Sequence, residues 1–415
     1  MSQYTIDDIL EFVQENDVKF IRLAFCDLYG RQKNISIMPK ELRHAFETGV
    51  SFDSFIILGF DNDEYQDLYL RPDPDTLHVL PWRPQSGRVI RFYCDVVLAD
   101  GTPFPYDYRY FLKETLRECQ DMGFSTRMSL KSEFYLLKTD ENGNPTDIPF
   151  DNGSYLDVAP NDKGENIRRE ICLTLEEMGI SPESSHHERG PGQNEIDFIS
   201  SDVLTTADNL VTYKNVVENI ASRNGVYATF EPKPIKDKPG NGLHIRIANY
   251  KDLDNLQDVD KDFSEGFMAG IINRIRDITV FLNCREDSYS RFGHSEAPAY
   301  ITWSAQNRSR LFRVISGNGE QSHFVLRSPD SCCNPYLATA MILQAGMAGV
   351  RGKEKLPQPQ DKSVRYMTEE EKKSLTKLPM TLEEAIDCAK ESSFLAESDF
   401  SKITSRYLEI IKSRN

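Results

Sequence analysis

His186-His187-Glu188-Arg189-Gly190-Pro191-Gly192-Gln193-Asn194-Glu195 sets two carboxylates on either side of a Gly-Pro-Gly turn, with two imidazoles just upstream. Glycine accepts the positive φ that other residues resist, so the backbone doubles back here and carries Glu188 and Glu195 toward one point. Two converging carboxylates repel each other unless a proton or a cation lies between them. A hard divalent ion, Mg²⁺ or Mn²⁺, takes oxygen ligands and suits that position. A solvated acidic loop is the competing reading. The run Ile196-Asp197-Phe198-Ile199 follows at once, however, and makes Glu195 the opening of a strand.

The bulk numbers bound the rest. The chain has 415 residues, a formal charge of −16 and 39% apolar residues, enough for a large core and about two to three domains. An acidic chain lacks the basic face that nonspecific nucleic-acid binding requires. It can still take small anionic substrates, because local patches oppose the net charge. The eight cysteines are scattered with no Cys-x-x-Cys pair, as expected of free thiols in a reducing compartment. Met1 to Asp8 carries neither a basic region nor an apolar core of a leader. No run reaches the roughly 18 apolar residues of a membrane span. These features predict a soluble, cytoplasmic protein without membrane or nucleic-acid partners.

Residues 5–17 read as a short helix with Thr5 as its N-cap. Val18 to Ile37 reads as two strands around Asp27-Leu28-Tyr29-Gly30, and further strands are expected at Ser54–Leu58 and Val89–Leu98. Arg71-Pro72-Asp73-Pro74-Asp75, Pro81 and Pro84 mark rigid linking structure. A small strand-rich domain, residues 1–107, is therefore expected before a larger one, residues 108–415. In the latter, helical stripes run through Phe111–Cys119, Ile167–Met178, Leu210–Ala221 and Asp262–Leu282, and the segment from Thr368 onward is charged and helical.

Four stretches share a pattern. A strand sends alternate side chains to opposite faces. Lys131 and Glu133 then share a face in Leu130–Leu136, as do His244 and Arg246 in Leu243–Ile247. In Phe324–Arg327, Val325 and Arg327 point together, and in Ser309–Arg313 the arginines fall on opposite faces. One such strand is an ordinary solvated surface. Four, with Glu, His and Arg on the polar side, predict a sheet lined for a cation and a phosphorylated substrate.

The chain resembles the glutamine synthetases over nearly its whole length. The carrying segments are HHERGPGQNE, FEPKP leading to GNGLH (230–244), SEAP (295–298) with NRS following (307–309), and RSPD leading into NPYLATA (327–340). The resemblance implies an α+β fold: a small β-grasp-like N-terminal domain and a catalytic domain built on a curved antiparallel sheet. It implies stacked hexameric rings with active sites between subunits. It further implies ATP-dependent joining of glutamate to ammonia through an acyl phosphate. Glu133, Glu188 and Glu195 match the ligands of a metal beside the amino acid, and His244 a ligand of a second metal at the ATP phosphates. Arg308 and Arg313 match arginines at those phosphates. Arg291 and Arg327 match those near the acid, and Gly240 lies in the substrate loop. Glu296 matches a flap glutamate that helps deprotonate ammonium, and Asp53 an aspartate lent by a neighbouring subunit. Catalysis is thereby expected of Glu296, Asp53, Arg308 and Arg327.

The chain departs from the family at the second metal. Lys131 and Val325 stand where two glutamate ligands are usual, Arg246 replaces a histidine, Pro239 an asparagine and Glu231 a methionine. The chain also stops soon after Tyr407-Leu408-Glu409, so the family's last helical extension is expected to be short or missing. One neutral imidazole does not hold Mg²⁺, which wants several oxygens, and Lys131 supplies a fixed charge there and a contact for ATP phosphate. Two main readings follow: a ligase joining a carboxylate to ammonia or a small amine, and a catalytically impaired scaffold or regulator of the same fold. A third keeps the first metal but runs hydrolysis or guanidino-group phosphoryl transfer.

Overall fold

The computed structural model describes residues 4–58, 67–83, 86–250, 261–317 and 320–414; Pro84 lies outside them. The chain divides into two compact units, residues 1–111 with 173–180, and residues 112–172 with 181–415.

In the first unit, helix α1 (Ile6–Glu15) starts at Thr5, whose hydroxyl accepts the Asp8 N–H while the Asp8 carboxylate accepts the Thr5 N–H at 2.8 Å. This reciprocal cap satisfies donors that the first turn leaves open. Strands β1 (Val18–Cys26) and β2 (Gln32–Ile37) pair around Asp27–Gly30 as expected. Then come α2 (Leu42–Thr48), β3 (Val50–Asp53), α3 (Phe55–Leu58), β4 (Asp67–Pro72), β5 (His78–Val79) and β6 (Arg88–Val97). The sheet order is β2-β1-β6-β4-β3, with β5 on β6 and β1 parallel to β6. Ile21, Leu23, Leu68, Leu70, Ile90 and Phe92 form its fully buried face.

The expected strand at Ser54–Leu58 is instead the helical turn α3. Asp53 Oδ1 accepts the Phe55 N–H at 2.9 Å, and the Ile57 N–H closes on Ser54 O. An aspartate that captures a backbone donor two residues on starts a turn, and a short apolar run has no period of its own to resist it.

In chain order there follow α4 (Tyr108–Asp121), β7 (Ser125–Thr139), β8 (Pro145–Pro149), α5 (Glu165–Glu177), β9 (Pro182–His187), β10 (Gln193–Phe198), β11 (Ser201–Asp202), α6 (Val203–Arg223), β12 (Val226–Thr229), β13 (Leu243–Tyr250), α7 (Lys261–Leu282), β14 (Trp303–Ser304), β15 (Phe312–Gly317), β16 (Glu320–Leu326) and α8 (Pro335–Arg351). Four shorter helices close the chain: α9 (Glu369–Lys373), α10 (Leu382–Glu391), α11 (Ser393–Ala396) and α12 (Ser401–Arg414). The second unit is built on a ten-stranded sheet ordered β14-β15-β16-β13-β7-β10-β9, with β8, β11 and β12 also on β7. All pairs are antiparallel except β14–β15. Leu243, Ile245 and Ile247 of β13 are buried, whereas His244 and Arg246 alternate to the other face. Ser309 and Arg310 were expected on a strand and sit in a turn. Ser304 Oγ accepts the N–H groups of Gln306 and Asn307, and Asn307 Oδ1 that of Ser309, so β15 begins only at Phe312.

Helices α6 and α7 pack on β7 and β13, and α8 packs against both helices. The α7–α8 crossing is a glycine seam. A Cβ on Gly349 would lie 2.4 Å from Gly266 O and from Gly270 Cα, all backbone that cannot swing aside. Alanine at a helix interior would gain about 1 kcal/mol of propensity, but overpacking against backbone exceeds it. Gly349→Ala is expected to destabilise the protein by about 1–3 kcal/mol, read as a lower denaturation midpoint; an unchanged or higher midpoint contradicts the seam.

Candidate active site

A cavity of about 430 Å³ opens on the polar side of the large sheet. Its walls are the strand faces that alternation predicts: Lys131 and Glu133 on β7, Gln193 and Glu195 on β10, His244 and Arg246 on β13, Arg313 on β15, and Val325 with Arg327 at β16. Glu188, Arg189, Gly240, Arg291, Glu296 and Arg308 complete it from the loops. All belong to the second unit. Asp53 belongs to the first, at the end of β3.

Register decides which groups meet. Glu195 lies opposite Glu133 on one side and His186 on the other. In the next row Lys131 lies between Asp197 and His244. Elsewhere in the sheet Val325 lies between Arg246 and Arg313. The sheet therefore grades from carboxylate to guanidinium.

The Gly-Pro-Gly turn leaves no room for side chains. A Cβ on Gly190 would lie 1.9 Å from Tyr135 Oη, and one on Gly192, at φ +71°, 2.6 Å from Leu136 O. Gln193 closes the turn, donating its N–H to Gly190 O and accepting the Gly190 N–H on Oε1, both at 2.9 Å. Beneath it sits Asp151, a residue that sequence reasoning passed over. Its Oδ1 accepts the N–H groups of Gly192 (2.8 Å) and Gly153 (3.0 Å) and His187 Nε2–H (2.9 Å); Oδ2 accepts the Lys163 N–H. His187 Nδ1 donates to Glu188 O at 2.6 Å. With acceptors on both nitrogens the ring is an imidazolium. Burial alone would push its pKa down, but the Asp151 bond and Glu188 O carry it up. Burial likewise opposes, and the His187 and glycine hydrogen bonds overcome, in bringing Asp151 down to about 2. His187 is thus structural, as its adjacency to Glu188 predicts.

Glu133 Oε2 accepts the Gly242 N–H at 2.7 Å and Gln193 Nε2–H at 3.3 Å. Burial first, and then the charges of Glu195 and Glu188, raise its pKa well above the usual carboxylate range. Burial and then Asp197 push Glu195 up to about 7, against Lys131 at 3.6 Å and His186 at 3.7 Å. The His186 ring, 3.1 Å from Glu188 Oε1, is raised chiefly by that hydrogen bond. Ligand atoms of Glu133, Glu195 and His244 lie within 4.8 Å of one another, and so do those of His186, Glu188 and Glu195. Facing carboxylates whose pKa values burial and mutual charge raise, with Glu188 near Glu195, fit one divalent cation.

The residues do not fit a second cation. The ligand atom of His244, expected at a second metal, lies within 4.8 Å of those of Glu133 and Glu195. Its pKa is pushed well down by burial, then by Arg327, Lys131, Arg291 and Arg246. Lys131, expected at ATP phosphate, ion-pairs with Asp197, and Val325 offers no donor. Asp197 shares the face of Glu195 two residues on, a signal that strand alternation contained.

At the acid end, Arg291 is buried and donates from its NH2 group to Asn283 Oδ1 (2.8 Å) and Ser328 O (2.7 Å). Gly240 lies against it, where a Cβ would sit 2.6 Å from Arg291 Cγ and 2.4 Å from Pro232 O. Arg308 is exposed on the turn before β15. Ser295 and Glu296 have φ of +46° and +72°, a left-handed conformation costing on the order of 1–2 kcal/mol per residue. The surrounding contacts must hold it.

Family and fold are shared with known proteins. The family "Glutamine synthetase, catalytic domain" matches residues 105–413, and "Glutamine synthetase, beta-Grasp domain" matches residues 17–99. A glutamine synthetase of Methanosarcina mazei is 44% identical, covering 97% of this chain and 92% of its own. One of Clostridium saccharobutylicum is 42% identical, covering 94% and 90%. A solved GmaS/ADP complex superposes with a TM-score of 0.87 at 26% identity over 98% of this chain and 95% of its own. The Plasmodium falciparum glutamine synthetase, at 22% identity, shares the fold with a TM-score of 0.86, covering 100% and 96%. The chain belongs to the glutamine synthetase family and is a glutamine-synthetase-like ligase, with the β-grasp domain and curved antiparallel sheet that its sequence implies. Among the described residues no helix is long and apolar enough to cross a membrane, and none of the eight cysteines forms a disulfide.

Two outcomes follow from the carboxylate row and its support. A raised carboxyl pKa contributes stability that is complete below the ordinary value near 4.5 and is lost as pH rises through about 7. A bound cation favours the ionised form. Saturating Mg²⁺ is therefore expected to raise the melting temperature more at pH 8 than at pH 5.5, with metal affinity falling about tenfold per unit below pH 7. Equal shifts at both pH values contradict the buried pair. Asp151→Ala strands a buried imidazolium and is expected to cost about 3–5 kcal/mol in denaturant unfolding.

Proposed function

We propose that the chain is an ATP-dependent carboxylate–amine ligase working in the cytoplasm. Its γ-carboxylate substrate, glutamate or a close relative, attacks the terminal phosphorus of ATP and releases ADP. Ammonia or a small amine then adds to the acyl phosphate carbon, and phosphate leaves. The observation that carries this reading is one cavity in which a row of two carboxylates and an imidazole, Glu133–Glu195–His186, grades into guanidinium groups. Phosphoryl transfer asks the protein for little except position and charge. The ADP bound by the related GmaS structure supports a nucleotide here.

Glu133, Glu188 and Glu195 would hold a divalent cation, Mg²⁺ or Mn²⁺, with His244 beside it, and such an ion would supply positive charge to offset that of the phosphoryl group. Arg308, Arg313 and the neighbourhood of Lys131 face the nucleotide phosphates. Arg291, braced in the floor, and Arg327 orient the acid beside the Gly240 loop. Glu296 accepts a proton from the amine, since only the neutral form attacks. Asp53 serves the amine site of a neighbouring subunit in a homo-oligomer of stacked hexameric rings. Lys131 and Val325 favour a second reading, a binding scaffold without turnover.

Incubation with Mg²⁺, ATP, glutamate and hydroxylamine is expected to yield γ-glutamyl hydroxamate. Folded protein that makes none across a panel of acids and amines leaves the scaffold reading in its place. Elemental analysis is expected to find one tight divalent cation per subunit. The double substitution Lys131→Glu with Val325→Glu is expected to raise that to two, and an unchanged count would remove Lys131 as the cause.

A further inference from the structure

The mouth of the cavity carries an ion pair to which no role has been assigned. Arg189, on the Gly-Pro-Gly turn, donates from its NH2 group to Glu296 Oε1 at 2.8 Å. The other oxygen, Oε2, lies 3.8 Å from the NH2 group of Arg327. The Arg189 guanidinium is itself braced, with its carbon 5.6 Å from the centre of the Tyr155 ring. Tyr155 in turn meets the His186 ring edge-on, at 5.6 Å and 87°. The segment bearing Glu296 is held at its base by Gly293 N–H to Ala297 O (3.0 Å) and Ala297 N–H to His294 O (2.9 Å). Neither bond touches the Glu296 side chain, and Ser295 and Glu296 both sit in the left-handed region. A backbone in that region persists only where its surroundings over-determine it.

We propose that Arg189 is a positioning residue: it latches Glu296 over the cavity and sets how much of that carboxylate's charge an incoming amine meets. The two guanidinium groups divide the work. An anionic substrate group entering beside Arg327 competes for that guanidinium and frees Oε2, while Arg189 keeps Oε1 and so keeps the carboxylate in place. The amine then finds a fixed oxygen whose charge is half committed. The amine part rests on the ligase reading; the latch does not.

Hydrogen–deuterium exchange on the intact protein tests the latch without turnover. Peptides spanning residues 291–299 are expected to exchange roughly two- to fivefold faster in Arg189→Ala, the range open to a half-exposed ion pair. Arg189→Lys should restore part of the protection, and Glu296→Gln should match Arg189→Ala without adding to it. Equal exchange in wild type and Arg189→Ala overturns the proposal. In steady-state assays Arg189→Ala is expected to lower both kcat and the KM for the amine, because the carboxylate is unmasked but no longer held. A KM that rises or stays fixed while kcat falls is the signature of plain structural damage and overturns the charge-setting role. If no ligase activity exists in wild type, the functional reading fails while the exchange result still decides the latch.

Discussion

Two carboxylates facing each other across adjacent antiparallel strands are the constraint around which the catalytic unit is arranged. Glu133 on β7 and Glu195 on β10 are register partners; Glu195 is buried and Glu133 half-buried in the cavity wall. The protein answers from every side. Gly242 N–H and Gln193 Nε2–H reach Glu133, while Lys131 and His186 approach Glu195. Hydrogen bonds to an ionised form favour it, and burial with like charge disfavours it. The balance leaves both groups ready to exchange a proton for a cation. The turn that brings Glu188 alongside is fixed from below by Asp151 and an imidazolium, a buried pair whose own lone pairs and protons are all used.

From that row the cavity changes sign within a few strand positions. Lys131, Arg246, Arg313 and Arg327 crowd the far end; burial first, and then Arg327, Lys131, Arg291 and Arg246, push the His244 pKa well down. An ammonium ion cannot take several oxygens at fixed angles as a metal does, but it offers charge without needing ligands of its own. Lys131 lies 3.6 Å from Glu195 and pairs with Asp197, and Val325 lies between Arg246 and Arg313.

Much of this was legible in the sequence, because period-two alternation is a rigid rule. It placed Lys131 with Glu133 and His244 with Arg246 on the cavity side, and those residues line it. The Gly-Pro-Gly turn was legible because steric exclusion at Gly190 and Gly192 admits little else. What stayed hidden depends on distance along the chain. Asp151 lies 41 residues before the Gly192 N–H that it accepts, and nothing in Asp151-Asn152-Gly153 announces that partner. The Arg189–Glu296 pair spans 107 positions. The expectation for Ser54–Leu58 failed for the opposite reason: one short-range bond from Asp53 outweighed an apolar run too short to have a period. The closeness of His244 to Glu133 and Glu195 was likewise hidden, because resemblance carries roles but not spacing.

Strand alternation also limits how such a site can change through descent. Removing or inserting one residue in β7 would carry Lys131 and Glu133 into the apolar layer and bring Ser132 and Phe134 out in their place. Because β7 pairs with β10, β13 and three shorter strands, the error would spread across the sheet. Length variation in the walls is therefore closed to this architecture, and exchange of one side chain for another at a fixed address remains open.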